Sequence, residues 1–477
     1  MKFFDRGGAI PGGVFVLASF AAAQSGTWTN VQPPASPPYR ATEGISFEPA
    51  SGLVVAYGGA TSSAATTVLN ETWGFDGSTW TQLFPVGDPG PRFNTHLARS
   101  PTPGRVVLFG GATAVFVVEG TTWEFDPQSV TWTNMTPAGP SPSPRQLATT
   151  VYDSTRGRTV LFGGTSGTGS FFYGDTWEWN GTTWTNVTPV AGPGPVPRAW
   201  HSMTFDSARG RTVLFGGYNG AQLGDTWEWD GTQWTQVMTP VSPSPRSSGA
   251  IAYDSVTQRV VLFAGSQGWP IGLNDVWQYD GTNWYPVSTP GTIPPPQYLQ
   301  GMVEDPVSGG ILVYGAFGDG WVPLNDTWLY VPMVVPATFS TFGAGCAGTA
   351  GVPALAAAPG QLPWIGSTLT LEFTNLPSTV LSPVIASLGF SRTMWGSLPL
   401  PYPLAGFGMP GCFVFIAATF SRNLANAAGM ATWPIAVPNN LGLVGTQFFV
   451  QGLVFDFGVN QFNAVVTNAG AGVVGVR

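Results

Sequence analysis

The sequence predicts an all-β chain: a six-bladed β-propeller closed by its own N-terminal strand, followed by a C-terminal β-sandwich. Three observations carry this. Behind a glycine doublet a pair of tryptophans keeps returning, as Trp73/Trp80, Trp123/Trp132, Trp177/Trp184, Trp227/Trp234 and Trp277/Trp284. The interval is about fifty residues, and a fixed period of that length means stacked supersecondary units. A sixth pair is split between the two ends, because Trp328 has no downstream mate and Trp28 stands alone near the N-terminus. The split says that the array closes into a ring. Finally, the tryptophan rhythm stops after Pro336, where composition shifts to Ala, Val, Leu and Gly. The expected divisions are a leader over 1–23, the propeller over 24–335 and the sandwich over 336–477.

The leader reads as a secretory signal. Lys2 and Arg6 open it, an apolar run follows from Ala9 to Phe20, and Ala21-Ala22-Ala23 supplies small residues for cleavage before Gln24. Asp5 is unusual in such a segment. The apolar run is shorter than the roughly 20 residues a membrane span requires, and Gly, Pro and polar residues break every later candidate, so no span is expected in the mature chain. Export suits the two cysteines, Cys346 and Cys412, which are expected to pair as a structural disulfide. Only 9% of the chain is charged, with Gly 64, Pro 44 and Trp 20 among 477 residues, which suits short strands and tight turns rather than long solvated helices. A net charge of -8 with few Lys/Arg argues against nucleic acid or an anionic membrane as partner.

The unit from Pro197 to Pro243 shows the grammar of one blade. An alternating stretch from Pro197 to Asp206 is followed by Arg211-Thr212-Val213-Leu214-Phe215, stopped by Gly216-Gly217. After a variable loop, Asp225-Thr226-Trp227-Glu228-Trp229 alternates with period two, and Asp230-Gly231 reverses the chain tightly into Trp234-Thr235-Gln236-Val237. Four antiparallel strands make one propeller blade. Equivalent units start near Arg40, Arg92, Arg145, Arg246 and Gln297, and the doublets Gly58-Gly59, Gly110-Gly111 and Gly163-Gly164 decay to Ala264-Gly265 and Gly315-Ala316.

This pattern of a glycine doublet after the second strand, then an aromatic and a Trp flanking the turn between strands three and four, resembles the kelch repeat. Asn274 to Trp284 follows it closely, and the second unit keeps the longer family turn from Phe125 to Trp132. The resemblance covers about Thr27 to Pro332 and implies a propeller like the central domain of galactose oxidase. Closure is legible as well. The sixth unit ends in its third strand at Trp328-Leu329-Tyr330, and the missing fourth strand is Thr27-Trp28-Thr29-Asn30-Val31, matching Trp184-Thr185-Asn186-Val187. Pairing the two removes free sheet edges and ties down a terminus.

In the C-terminal part, 367–373, 383–388, 412–416, 431–437 and 448–456 read as strands between Pro/Gly turns, which suggests a β-sandwich. Its opening Phe342-Gly343-Ala344-Gly345-Cys346-Ala347-Gly348 and closing Thr467-Asn468-Ala469-Gly470 look like a module attached to many secreted bacterial repeat proteins, a resemblance that implies no activity.

Antiparallel topology brings the loops after the glycine doublets (60–70, 112–121, 165–174, 218–224, 266–273 and 317–324) to one face, with the Pro-Arg segments that enter each blade. Variable loops on a rigid scaffold are where binding usually resides. Arg40, Arg92, Arg145, Arg198 and Arg246 recur at one place in five blades. The kelch resemblance puts that place near the axial mouth, where a partial ring of guanidinium groups could hold carboxylates or acidic sugars. The competing reading is that a residue present in every blade bonds its neighbours' backbone carbonyls.

Three residues beyond the arginines stand Glu43, Thr95, Ala148, His201, Gly249 and Gln300, so Glu43 and His201 face each other across the ring. His96 falls one position out of phase with His201. Two non-convergent histidines exclude the copper chemistry of galactose oxidase, and no acidic cluster suggests another metal. Neither a nucleophile elbow with a usable His nor a complete Asp-box is present, and no cofactor is expected.

The reading that follows is a secreted or cell-surface, monomeric, non-enzymatic protein offering its loop face to a glycan or extracellular protein, with the five arginines and His201 as candidate ligand contacts. The alternative is an exported sugar-processing enzyme resembling kelch mutarotases of sialic acid. There Glu43 would be the acid/base and the arginines would hold the substrate carboxylate.

Overall fold

The computed structural model describes residues 24–475 apart from 63–66, 116, 168–170, 333–336, 379–382, 439–442 and 444, so the expected leader lies outside the described residues. The chain forms two compact units, one over Gln24–Met333 and one that includes Val334–Arg477.

The first unit is the six-bladed propeller. Blade one is Gly44–Glu48, Leu53–Tyr57, Thr72–Phe75 and Trp80–Leu83 in sheet order, and blades two to five repeat the order from His96 to Ser288. Blade six takes Gly301–Asp305, Gly310–Gly318 and Val322–Pro332 from the end of the array and Gln24–Asn30 from its beginning. That last pairing is antiparallel, with Trp28 opposite Tyr330 and Asn30 opposite Trp328, as the split tryptophan pair requires. One connection was not legible: Gln24 and Ser25 also pair in parallel with Val287 and Ser288 of blade five, joining two blades into one continuous sheet.

Two side-chain devices explain the repeated motif. The polar residue after strand three (Asp76, Asp126, Asn180, Asp230 or Asp280) accepts hydrogen bonds from the amides two and three residues on. In blade four Trp229 pairs with Trp234, so the reversal takes the four residues Asp230–Gln233 instead of a two-residue turn. The second tryptophan of each pair then reaches into the preceding blade. Trp80, Trp132, Trp184, Trp234 and Trp284 donate from Nε1 to Thr327, Thr72, Thr122, Thr176 and Thr226 at 2.9–3.0 Å. Each is buried against its neighbour, so one side chain supplies both apolar area and a satisfied polar tip.

Trp28 is the sixth member of this set, and its equivalent acceptor position carries Val276. Its Nε1 is buried without a partner. Val276→Thr is therefore expected to supply the missing hydroxyl at little change in shape and to stabilise the closure by about 1 kcal/mol. The denaturation midpoint of the propeller measures this, and Trp28→Phe should abolish the gain.

In the second unit, two antiparallel sheets share one core. Five strands run in the order Thr338–Phe342, Ala464–Val473, Gln447–Phe455, Val384–Gly389 and Phe420–Leu424, and three in the order Ala354–Ala357, Thr368–Thr374 and Ala431–Ala436. Leu371, Phe373 and Trp433 of the smaller sheet pack on Ala386, Val450 and Val454 of the larger. Cys346 and Cys412 form the expected disulfide, buried in that core and spanning 66 residues of sequence.

The strand expected over 412–416 shrinks to Phe413–Val414. The reason is Gln451, whose side chain accepts from the Phe415 amide at 2.9 Å and donates to the Phe413 carbonyl at 3.0 Å, replacing a partner strand. Conversely, Ala464–Val473 is a strand that small residues concealed. A Cβ on Gly470 would lie 2.4 Å from the Phe339 ring, and one on Gly472 2.3 Å from Phe448.

Candidate functional site

The six innermost strands meet in a closed ring, Gly301–Asp305 returning to Gly44–Glu48, around an axial cavity of about 650 Å³. Thr42, Glu43, Asn94, Thr95, Trp200, His201, Ser248 and Gln300 line the end reached by the loop face, whereas Phe47, Arg99, Tyr152, Phe205, Tyr253 and Glu304 line the other.

The five arginines do not form an open ring of charge. Their exposures run from 0% to 3%, and each guanidinium is consumed by its own blade. Nη1 of Arg40, Arg92, Arg145, Arg198 and Arg246 donates to the carbonyl of the residue eighteen positions on (Gly58, Gly110, Gly163, Gly216 and Ala264) at 2.7–3.1 Å. Arg145, Arg198 and Arg246 also grip Asp175, Asp225 and Asp275 bidentately, Arg40 bonds Glu71, and Arg92 bonds Thr121 at 2.9 Å. The same acids accept from Trp73, Trp177, Trp227 and Trp277, so arginine, acid and first tryptophan form one unit in four of the six blades. Burial pushes the carboxyls of Asp175, Asp225 and Asp275 up, but the hydrogen bonds and charge of their arginines outweigh it and hold them below the ordinary value. Blade six has Gln297 in place of the arginine, and there Trp328 Nε1 is buried without a partner. A ligand-holding ring of arginines is thus replaced by a set of internal clamps. The acid two residues before Trp73, Trp177, Trp227 and Trp277 was the sequence signal for this.

The arginine backbone links the blades as well. Its carbonyl, or that of Gln297, accepts from the amide of the second doublet residue in the preceding blade at 2.7–3.2 Å, all the way round to Ala316 donating to Arg40. This contact is why glycine fills the doublet. Gly216 and Gly217 have φ of 65° and 105°, and a Cβ on Gly216 would sit 2.6 Å from the Arg246 carbonyl.

Two residues past the arginine position, six non-glycine residues adopt a left-handed conformation: Thr42, Asn94, Leu147, Trp200, Ser248 and Leu299, with φ between 54° and 65°. Sequence reasoning missed this crown entirely, because none of the six is a residue type that announces positive φ except Asn94. Inter-blade hydrogen bonds hold it. Thr42 donates to Leu299, Leu299 to Ser248, Ser248 to Trp200, and Leu147 to Asn94, at 2.8–3.2 Å.

Next in the chain come Glu43 and His201, which lean back over the preceding blades and not across the axis. The Glu43 carboxyl lies against Gly315, and the His201 ring lies against Gly163 and 5.4 Å from Phe162. The structure therefore separates the two groups. Burial pushes Glu43 up to about 8 against the opposing pull of nearby backbone amides and Arg40, and its oxygens make no well-formed hydrogen bond. Burial, with the charges of Arg198 and His96, holds His201 well below the usual histidine range, and both its nitrogens lack partners. His96 lies out of phase with it, as the spacing predicts: solvent reaches its ring through the cavity, although the strand walls enclose it, and burial pushes it down to about 4. Burial thus disfavours the charged form of all three groups. Thr42, Thr95, Ser248 and Gln300 add further buried polar atoms without partners at the same end.

Among the described residues no group of three or more His, Cys, Asp or Glu is placed to hold a metal ion, and no helix is long and apolar enough to cross a membrane.

A family match supports the repeat architecture over part of the propeller. Residues 156–334 match the family described as the KLHDC2/KLHL20/DRC7 kelch-repeats domain. A solved structure titled "Structure of YjhT" aligns with a TM-score of 0.48 at 14% identity, covering 62% of this chain and 96% of that one. No curated protein matches the chain. The kelch-repeat match covers residues 156–334, and the other blades carry the same four-stranded order, with the amide of the second doublet position donating to the arginine or Gln297 carbonyl of the next blade.

Proposed function

We propose that the propeller is an exported, non-enzymatic binding module that seats its ligand on the loop face around the axial mouth. The observation that carries this reading is the collection of buried, unpartnered polar atoms on Thr42, Thr95, His201, Ser248 and Gln300 at one end of a cavity large enough for a small ligand. Buried polar groups in native proteins are satisfied, by protein, water or ligand, so a cluster of orphans at an open mouth asks for an occupant. The crown of left-handed residues above them favours the same reading, since strained backbone concentrates at ligand clamps. Binding of a glycan or an extracellular protein by the full chain, on arrays of both, is the direct test. Silence on both would sink the proposal.

A second reading, an enzyme acting on sugars, has one observation in its favour: Glu43 keeps its proton to about pH 8 and could serve as a general acid. Against it, the Glu43 carboxyl packs on Gly315 of the preceding blade and not across the axis. Glu43→Gln separates the readings. The enzyme reading expects anomerisation to fall by about 10²-fold or more, while the binding reading expects ligand retention and no turnover in either protein.

The same variant has a stability signature. Burial pushes the Glu43 carboxyl up to about 8 in the folded state whereas the unfolded chain releases the proton near the ordinary value of 4.5, so wild-type stability falls as pH rises between those values. Glu43→Gln should match wild type near pH 4 and exceed it at pH 8 in chemical denaturation.

A further inference from the structure

We propose that the loop face binds a neutral carbohydrate, one sugar ring of which stacks on the Trp200 indole at the rim of the axial mouth. This rests on the binding-module reading and names the ligand class for its site.

The first support is aromatic. The Trp200 ring lies 5.1 Å from Trp269 and 6.0 Å from Tyr218, and Trp269 and Tyr218 are 5.8 Å apart. Residues from blades four and five thus build a three-ring platform, and each of the three residues is only partly buried. Trp200 also occupies the crown position of its blade at φ 55°, where the other blades carry Thr, Asn, Leu or Ser. A left-handed conformation is unfavourable for a bulky side chain, so blade four sets its largest aromatic where the backbone least favours one, in a place no sheet contact requires. An indole is an amphipathic surface, apolar on its face and polar at its edge, and that suits the alternating C–H and O–H surface of a sugar.

The second support is polar. Ser248 Oγ and Thr42 Oγ1 at the cavity mouth, and Trp269 Nε1 on the ring beside Trp200, are buried without partners. They are one uncharged donor and two hydroxyls able to donate or accept, the inventory that matches sugar hydroxyls.

The third support is charge. The five arginines that could have attracted an acidic sugar are committed to internal carboxylates, carbonyls and a threonine. Burial disfavours the charged form of the mouth's own ionisable groups, Glu43, His96 and His201. An anionic ligand would lose its hydration there without gaining a free cation, and a buried unpaired charge is costly.

The test uses the full chain on an array of cello-, xylo- and chito-oligosaccharides beside sialylated, uronate-containing and sulfated glycans, followed by tryptophan-fluorescence titration of the oligosaccharide that binds. The inference expects a neutral oligosaccharide to bind, Trp200→Ala to weaken it at least about tenfold, as truncation of a buried-rim tryptophan commonly does, and Trp200→Tyr to recover most of the loss. Should Trp200→Ala fail to fold, Trp269→Ala carries the same expectation. Preference for acidic glycans, no glycan binding, or neutral binding indifferent to both tryptophans overturns the carbohydrate assignment. A protein ligand held at the loop face would then leave the binding-module reading standing. Ligand binding that depends on Tyr152 or Arg99 at the opposite end of the cavity overturns both.

Discussion

Trp28→Ala is expected to cost the propeller about 3–5 kcal/mol, the range for truncating a buried aromatic in a core. The size follows from where the side chain sits. Trp28 is 7% exposed, with its ring 4.6 Å from Phe263 of blade five and 5.0 Å from Tyr330 of blade six. It shares a cluster with Val261 and Val276 on one side and Ile311 and Val313 on the other. Removing it empties the seam between two blades and loosens the strand that closes the ring, so the effect should exceed that of truncating a tryptophan within a single sheet. Denaturant unfolding followed by tryptophan fluorescence measures it. A loss below about 1 kcal/mol, the level of ordinary surface substitutions, would mean that the closure contributes little.

Arg198→Ala should be comparably severe, about 3–5 kcal/mol, because it strands a partly buried carboxylate and an inner carbonyl together. Arg198 is fully buried and donates to Asp225 at 2.6 and 2.8 Å, to Gly216 at 2.9 Å and to Val196 at 3.0 Å. Lysine cannot reproduce a planar fork that serves three acceptors, so Arg198→Lys should recover only part of the loss. The clamp also sets an acid limit. Asp225 is held below its ordinary value in the folded protein, so its contribution is present above the unfolded value near 3.9 and disappears as pH falls through the folded one. Arg198→Ala should flatten that acid limb of the stability curve, and Asp225→Asn should flatten it too. If Arg198→Ala instead kept full stability and abolished ligand binding, the arginine would belong to the ligand site and not to the scaffold.

The architecture was legible because each of its determinants is local and repeated. A glycine doublet, a turn-forming Asp or Asn and a tryptophan at fixed offsets state the blade in full four times and in part twice more, and the misplaced Trp28 states the closure. The candidate site was less legible. The kelch resemblance put the arginines at the mouth, and spacing set Glu43 and His201 three residues beyond them, but what decides a role is the partner. Each arginine partner lies 27 to 31 residues away in the blades where it is Asp175, Asp225, Asp275 or Glu71. The crown of left-handed residues was invisible because inter-blade hydrogen bonds impose it on Leu147 and Leu299 against their own preferences. In the second unit, Gln451 acting as a surrogate strand and the Gly470 and Gly472 contacts have no periodic signature at all.

The pairing of Trp28 with Tyr330 has a consequence for the order of events during synthesis. The two residues are separated by about three hundred positions, so beyond the short pairing of Gln24 and Ser25 with blade five the strand carrying Trp28 has no mate until the last blade has been made, and long-range pairing of this kind is slow. Five blades can assemble as each is completed, while most of the opening segment stays unpaired and prone to wrong partners. A chain truncated before Trp328 should accordingly expose that segment to proteolysis, whereas the finished protein, latched at both blades five and six, should protect it.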